Sequence, residues 1–286
     1  MRPALATKRN TLTLEAHLAH FPFDRESFIS TAAATACTLC TAAGMTLLSA
    51  PLLAGTEAAA APTCRTQSTA NVTPLFELYT SEGCSSCPPA DRWLSALRDE
   101  PGVVALAFHV DYWDRLGWKD RFASPVYTQR QAQQRLSNGA KFSYTPQVVV
   151  DGLDRPRWYT GNAPAASGAR APARVDIELA RDGEAVSASV NARPGAPARL
   201  AAYWAVTEMG HRTAVKAGEN HGATLTHDFV VRHYVPIAAW NAAIDKPATF
   251  RLDLEPPQAS PQPSFVNLVV VDAATQRPVQ ALRLGC

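Results

Sequence analysis

The sequence predicts an α/β domain followed by an all-β domain, and the contrast between its two halves supports this division. In the first half, two apolar runs, residues 75–80 and 103–110, flank a segment in which Trp93, Leu94 and Leu97 recur at helical spacing. A strand, a helix and a second buried strand form a βαβ unit. Beyond residue 173, short strand-like runs alternate with turn signals and no long helix is evident.

Seven runs in the second half have strand character: residues 173–180, 184–192, 199–207, 223–236, 248–254, 265–272 and 278–284. Apolar and polar residues alternate in the first and fifth runs, as expected for strands with one buried face. About seven short strands of this kind predict a β-sandwich of immunoglobulin-like type over residues 174–286. Residues 153–173 are rich in proline, glycine, alanine and arginine, and they predict a linker.

Two cysteines, Cys84 and Cys87, stand where the predicted helix of the first half begins. Pro88 and Pro89 follow them, and prolines are tolerated in a first helical turn because its N–H groups have no partner within the helix. The free N–H groups and the helix dipole stabilise a thiolate there. The pattern predicts a redox pair in which Cys84 attacks and Cys87 resolves. An inert structural disulfide and a pair of metal ligands are the alternatives.

Residues 1–61 are predicted to be a secretory leader. Residues 27–56 carry no charge, and small residues around Ala60 resemble a cleavage site, so we expect the mature protein in the periplasm or outside the cell. An uncleaved leader would be the only membrane contact. Cleavage leaves four cysteines, and this even number predicts a structural disulfide between Cys64 and Cys286 in an oxidising compartment. Two free or intermolecular thiols are the alternative.

The composition excludes some classes of function. The chain has 27 Lys and Arg against 25 Asp and Glu and no basic patch interleaved with aromatic residues, so nucleic acid is not expected as a partner. The chain has only three methionines. His221, His227 and His233 lie six residues apart, which would separate neighbours on one strand by about 20 Å. Both observations disfavour copper binding by the cysteines, and we expect no metal and no cofactor.

A resemblance to a known family adds to this interpretation. Cys84-Ser-Ser-Cys87 at a helix start, with Thr145-Pro146 before a β-branched run, resembles the thioredoxin-like fold. The wider motifs resemble a bacterial family of exported thioredoxin-like proteins whose function is not established. The matching stretches are residues 79–91, 108–114, 116–120, 123–125 and 144–147. The resemblance implies an α/β thioredoxin-like domain over residues 62–152, followed by the immunoglobulin-like sandwich.

The resemblance also implies roles for individual residues. Cys84 is the implied nucleophile and Cys87 the resolving thiol, and both catalytic cysteines face a cis Pro146. An X-Pro bond is cis at modest cost, and the backbone before it can pair with an extended peptide. The substrate-binding residues would therefore be Tyr144 and Thr145. Glu77 is the candidate proton shuttle, although it lies one residue away from the position that the resemblance implies.

Two functions from different classes follow from these observations. The first is an exported thiol–disulfide oxidoreductase whose partners are protein thiols and disulfides. The Ser-Ser dipeptide between Cys84 and Cys87 leaves the direction of electron flow open. The second is a non-catalytic secreted binding or envelope protein in which the same two cysteines form a structural disulfide.

Overall fold

A computed structural model describes residues 64–160, 169–254 and 262–286. The leader expected over residues 1–61, with its cleavage site near Ala60, lies outside these ranges. The described residues belong to one compact unit, Ala58–Cys286. None of the helices in the described ranges has the length and apolar character needed to cross a bilayer.

Strands dominate the described chain. The strands are β1 (Cys64–Gln67), β2 (Leu75–Thr80), β3 (Val104–His109), β4 (Gln147–Val150), β5 (Leu153–Asp154), β6 (Val175–Asp182), β7 (Ala185–Ala192), β8 (Arg199–Glu208), β9 (His211–Ala214), β10 (Thr224–His227), β11 (Val230–Asn241), β12 (Ala248–Asp253), β13 (Ser264–Asp272) and β14 (Pro278–Leu284). The helices are α1 (Pro88–Ser95) and α2 (Pro125–Ser137), with short 3-10 helices at Asp111–Leu116 and Trp158–Thr160.

The larger sheet has eight strands in the order β14-β13-β8-β11-β3-β2-β4-β5. Within it β2 and β3 are parallel, and β4 is antiparallel to β2. Strand β11 meets β3 in parallel at the pair Val230 and Ala107, and it then runs antiparallel to β8. The junction is reinforced by the Ala107 N–H, which donates to the Phe229 carbonyl oxygen at 2.8 Å. Strands from both halves of the sequence therefore share one sheet.

The predicted fold class, an α/β thioredoxin-like domain followed by an all-β immunoglobulin-like sandwich, is wrong. The fold is β-rich with mixed sheets, and the described ranges contain only two α-helices, of 8 and 13 residues. The physical reason lies at β3, whose six residues are all buried. A buried strand needs hydrogen-bond partners at both edges. Strand β2 supplies one edge and β11, from the second half of the chain, supplies the other.

The second sheet, in the order β1-β6-β7-β12, covers the β8-β13-β14 part of the larger sheet. Strand β6 alternates buried and half-buried residues, so one face enters the core and the other meets solvent. Ile177 and Leu252 from the smaller sheet pack with Trp204 and Leu268 from the larger one. Each fully buried aliphatic side chain contributes about 1.5–3 kcal/mol to this core.

The predicted Cys64–Cys286 disulfide is present, and it joins β1 to the end of the chain with Cα atoms 6.0 Å apart. A third, two-stranded sheet is the hairpin of β9 and β10. Its strands pair from His211 opposite His227 to Ala214 opposite Thr224. The connection between the two strands reaches the turn that carries Cys84 and Cys87.

Candidate functional site

Cys84 and Cys87 form a disulfide in the turn between β2 and α1, with Cα atoms 5.4 Å apart. The N–H groups of Ala90 and Asp91 donate to the Cys87 carbonyl oxygen at 2.8 and 3.1 Å, which starts the helix at this residue. The pair therefore lies at a helix N-terminus, as its spacing predicts. Both cysteines have an exposed fraction of 0%, whereas Ser85 between them is exposed. The disulfide is thus closed off from solvent.

The connection between β9 and β10, residues 216–222, covers the disulfide turn, and we call it the cover loop. The Glu219 carboxylate accepts hydrogen bonds from the N–H and the hydroxyl of Ser85 at 3.0 and 2.8 Å. The Asn220 side-chain amide donates to the Cys84 carbonyl oxygen at 3.0 Å. These contacts join the cover loop to the backbone on both sides of Cys84. The Ser85 N–H lowers the pKa of Glu219, which keeps this carboxylate charged.

The residues expected to bind substrate are connected to the disulfide turn through Trp113. The peptide bond between Thr145 and Pro146 is cis, and both residues are half-buried. Trp113 links them to the turn, since its indole N–H donates to the Thr145 hydroxyl at 2.8 Å. A Cβ atom added to Gly83 would lie 3.2 Å from the Trp113 Cβ. The neighbouring Tyr144 is also half-buried, and its hydroxyl meets an Asp154 carboxylate oxygen at 2.7 Å.

Glu77, the residue suggested as a proton shuttle, is buried in β2 and engaged in an ion pair. Its Oε1 accepts hydrogen bonds from the Arg130 guanidinium and from the Tyr203 hydroxyl, the latter at 3.0 Å. Its Oε2 accepts one from the Gln134 amide at 3.1 Å. Both carboxylate oxygens are therefore occupied by donors from α2 and β8. Glu77 is thus held in a buried ion pair with Arg130.

Beside the disulfide turn lies a buried group of titratable side chains that the sequence did not reveal. We call it the acid–histidine cluster, and its members are Glu82, Asp91, His109, Asp120 and His227. His109 Nδ1 lies 2.7 Å from an Asp120 oxygen. His227 Nε2 lies 3.4 Å from a Glu82 oxygen, and its Nδ1 lies 4.0 Å from an Asp91 oxygen. The two imidazole rings are 5.0 Å apart between centroids. Three carboxyl groups and two imidazoles therefore share one buried region.

The surroundings of these groups shift their pKa values in opposite directions. Burial disfavours the charged form of His109, but the Asp120 carboxylate outweighs burial, and the pKa of His109 is raised. Burial likewise opposes ionisation of Asp120, yet the charge of His109 and its hydrogen bonds lower the pKa of Asp120 to about 2. Burial raises the pKa of Asp91. The pKa shifts of His109 and Asp120 therefore favour an ion pair between them, while Asp91 retains its proton to higher pH than an exposed aspartate.

The acid–histidine cluster does not form a metal centre. Across the described ranges, no three His, Cys, Asp or Glu side chains are placed to hold one ion together. The cluster could not be recognised in the sequence because its five members come from five different elements of the fold. The six-residue spacing of His221, His227 and His233 describes only one segment of the chain. It cannot reveal that His227 contacts Asp91 on α1 and Glu82 in the turn after β2.

Comparison with known proteins places the chain in a family. The model of the family described as "Protein of unknown function (DUF1223)" matches residues 75–271. The chain belongs to the DUF1223 family. The DUF1223 match includes the Cys84–Cys87 disulfide, the cover loop and the acid–histidine cluster, and it leaves Cys64 and Cys286 outside.

Two solved structures are similar in fold to this DUF1223 protein. A crystal structure of an Agrobacterium tumefaciens protein is 24% identical, with a TM-score of 0.54 over 76% of this chain and 96% of that chain. HBP35 of Porphyromonas gingivalis is 13% identical, with a TM-score of 0.54 over 76% of each chain. A comparison with curated proteins gives no match. At these identities the likeness concerns the fold alone.

Proposed function

We propose that this protein is an exported thiol–disulfide oxidoreductase that acts on protein thiols and disulfides through Cys84 and Cys87. The observation that carries the proposal is the disulfide at the N-terminus of α1. Free backbone N–H groups and the positive end of the helix dipole favour a thiolate at this position. The second disulfide, between Cys64 and Cys286, supports an oxidising compartment such as the periplasm.

The reaction is an exchange of disulfides with two electrons transferred. A substrate thiolate attacks the Cys84 sulfur, the Cys84–Cys87 bond breaks, and its electron pair leaves on the Cys87 sulfur. A mixed disulfide then joins the substrate to Cys84. A second substrate thiolate attacks the substrate sulfur of that bond and releases Cys84. The substrate dithiol becomes a disulfide and the cysteine pair becomes a dithiol, and the reverse sequence reduces a substrate disulfide.

Substrate access requires the cover loop to move, because neither cysteine has exposed surface. The loop is joined to the disulfide turn by hydrogen bonds of Glu219 and Asn220. Hydrogen bonds of this kind exchange with water at small net cost. Displacement of the loop would remove the contacts that Glu219 and Asn220 make with the disulfide turn.

We expect Asn220→Ala to speed reduction of the Cys84–Cys87 disulfide by dithiothreitol about tenfold, because it removes two hydrogen bonds that hold the cover loop. The rate is measured by quenching with a maleimide and separating the species by mass. Asn241→Ala, at an exposed asparagine on β11, is the matched control and should leave the rate unchanged. An unchanged or slower rate in Asn220→Ala would show that the cover loop does not limit access.

The function itself is tested by trapping. Cys87→Ser removes the resolving thiol, so we expect mixed disulfides between Cys84 and other proteins to accumulate in an oxidising compartment. They should appear as high-mass species on non-reducing gels and disappear with dithiothreitol. Cys84→Ser is the control and should give none. Absence of adducts with Cys87→Ser would contradict the proposed function.

A second candidate is the non-catalytic secreted binding protein with a structural Cys84–Cys87 disulfide. The complete burial of both cysteines favours it. The two functions predict different chemistry for the folded protein. A structural disulfide should resist dithiothreitol until denaturant is added, whereas a redox disulfide should be reduced, and its thiols alkylated, under native conditions.

A further inference from the structure

We propose that Asp91 and His227 form a proton-transfer pair that serves the Cys87 sulfur, with Asp91 exchanging a proton with Cys87 and His227 exchanging one with Asp91. The inference rests on the proposed redox function and names the residues that handle its protons. It assigns to Asp91 the role that the sequence suggested for Glu77. Glu77 is already bound by Arg130, Tyr203 and Gln134.

Asp91 lies on α1, one helical turn beyond Cys87. Its N–H donates to the Cys87 carbonyl oxygen at 3.1 Å, so the two residues are one helical turn apart. Residues four apart on a helix share a face, and the later side chain leans towards the helix N-terminus. Asp91 has an exposed fraction of only 7% and Cys87 of 0%. The carboxyl group is thus directed towards the Cys87 end of the helix in a region closed to bulk water.

In the described part of the chain, several buried polar atoms around His227 have no hydrogen-bond partner. Its Nδ1 lies 4.0 Å from an Asp91 oxygen and its Nε2 lies 3.4 Å from Glu82 Oε1. Within the described ranges, both nitrogens, Glu82 Oε1 and His109 Nε2 are buried without a hydrogen-bond partner. Buried polar atoms are almost always paired, so such a concentration calls for a role. Adjacent donors and acceptors that are not locked by other partners can pass a proton between them.

The charged groups around Asp91 affect its pKa. The titratable groups that face it are His227 on β10, His109 on β3, Asp120 beyond the first 3-10 helix, and Glu82 in the turn before α1. Burial raises the pKa of Asp91, and the two imidazoles partly offset this rise. Asp120 is paired with His109, and the proximity of His227 together with the hydrogen bond from the Trp118 indole N–H outweighs burial and lowers the pKa of Glu82. Asp91 is therefore the carboxyl group of the cluster that keeps its proton to higher pH than Glu82 and Asp120 do.

Proton transfer accompanies the breaking and the formation of the Cys84–Cys87 bond. When a substrate thiolate attacks Cys84, the electron pair of the broken bond leaves on Cys87, and Asp91 transfers its proton to that sulfur. The carboxylate then regains a proton through the His227 imidazole, of which one nitrogen gives up a proton while the other takes one from water that enters when the cover loop moves. In the opposite direction, the Asp91 carboxylate accepts the proton of the Cys87 thiol, and the resulting thiolate attacks the mixed disulfide on Cys84 and expels the substrate thiolate.

The test measures the rate of disulfide reduction by dithiothreitol from pH 5 to pH 9 in the full chain, divided by the fraction of dithiothreitol present as thiolate. For the wild type we expect this corrected rate to fall as pH rises through the pKa of Asp91, because the protonated carboxyl is the active form. Asp91→Asn should lower the low-pH rate by about 100-fold and abolish the pH dependence. Asp99→Asn, at an exposed aspartate just beyond α1, is the control and should match the wild type.

His227→Gln provides an independent test. Loss of the imidazole removes a group that lowers the pKa of Asp91, so the fall in rate should move to higher pH. His233→Gln, at an exposed histidine on β11, should not move it. If Asp91→Asn keeps the wild-type pH profile, or if His227→Gln leaves the profile in place, the inference is overturned while the redox function stands. If the wild-type disulfide resists dithiothreitol at every pH, the proposed function fails instead.

Discussion

Replacement of Arg130 by methionine is expected to destabilise the folded protein by about 3–5 kcal/mol, because it leaves the Glu77 carboxylate buried without its counter-ion. Arg130 bonds Glu77 and lies over the Tyr203 ring, 3.9 Å from its centroid. Both charged side chains are almost completely buried. The remaining donors, Tyr203 and Gln134, carry no positive charge. Urea unfolding followed by circular dichroism measures the change in the free energy of unfolding.

Two comparisons separate the loss of charge pairing from the loss of side-chain packing. The double variant Glu77→Gln/Arg130→Met removes both charges and should recover a large part of the stability lost in Arg130→Met. The exposed pair of Arg251 and Asp253 provides the matched control, and Arg251→Met should cost less than about 1 kcal/mol. A cost for Arg130→Met as small as that for Arg251→Met would contradict the assignment of a buried ion pair.

Loss of the Cys64–Cys286 disulfide is expected to have the second large effect, a decrease of about 4 kcal/mol in the free energy of unfolding. The two cysteines are 222 positions apart, so the bond restricts a long loop in the unfolded chain. For a protein of this size the melting temperature should fall by roughly 10 °C. Thermal unfolding of the double variant Cys64→Ala/Cys286→Ala under non-reducing conditions measures this decrease in melting temperature.

Single variants identify the disulfide as the cause. Cys64→Ala alone breaks the same bond, so it should cost nearly as much as the double variant, and adding Cys286→Ala should change little more. Two independent side-chain effects would instead add together. A double variant as stable as the wild type would show that the bond does not contribute to stability.

Local features of the fold could be predicted from the sequence, whereas the sheet partners could not. The runs 184–192 and 265–272 correspond closely to β7 and β13, because short runs that contain valines and are bounded by turn residues are typical of strands. The run 223–236 is in fact two strands, β10 and β11, separated at Phe229, which has a φ of 57°. A phenylalanine in this left-handed conformation has no sequence signal. The pairing of β11 with β3 depends on contacts between distant segments, which a local pattern does not contain.

In the candidate site, too, local features could be predicted from the sequence, whereas contacts between distant segments could not. The position of Cys84 and Cys87 at a helix start follows from spacing and from the prolines after them, and the count of cysteines predicts the Cys64–Cys286 bond. The surroundings of Glu77 could not be predicted from the sequence. Polar residues of a helix ordinarily face solvent, whereas Arg130 faces the core. The cover loop and His227 could not be predicted either, since the hairpin of β9 and β10 reaches the cysteine turn only in the folded chain.

The covalent link between Cys64 and Cys286 turns the described part of the chain into a ring. A protease that cuts once anywhere inside that ring opens it without releasing a fragment, so the nicked molecule keeps its full mass until a reductant is added. Two separate cuts are needed to free a peptide. Digestion without a reductant would therefore leave products linked together that the same digestion after reduction would separate.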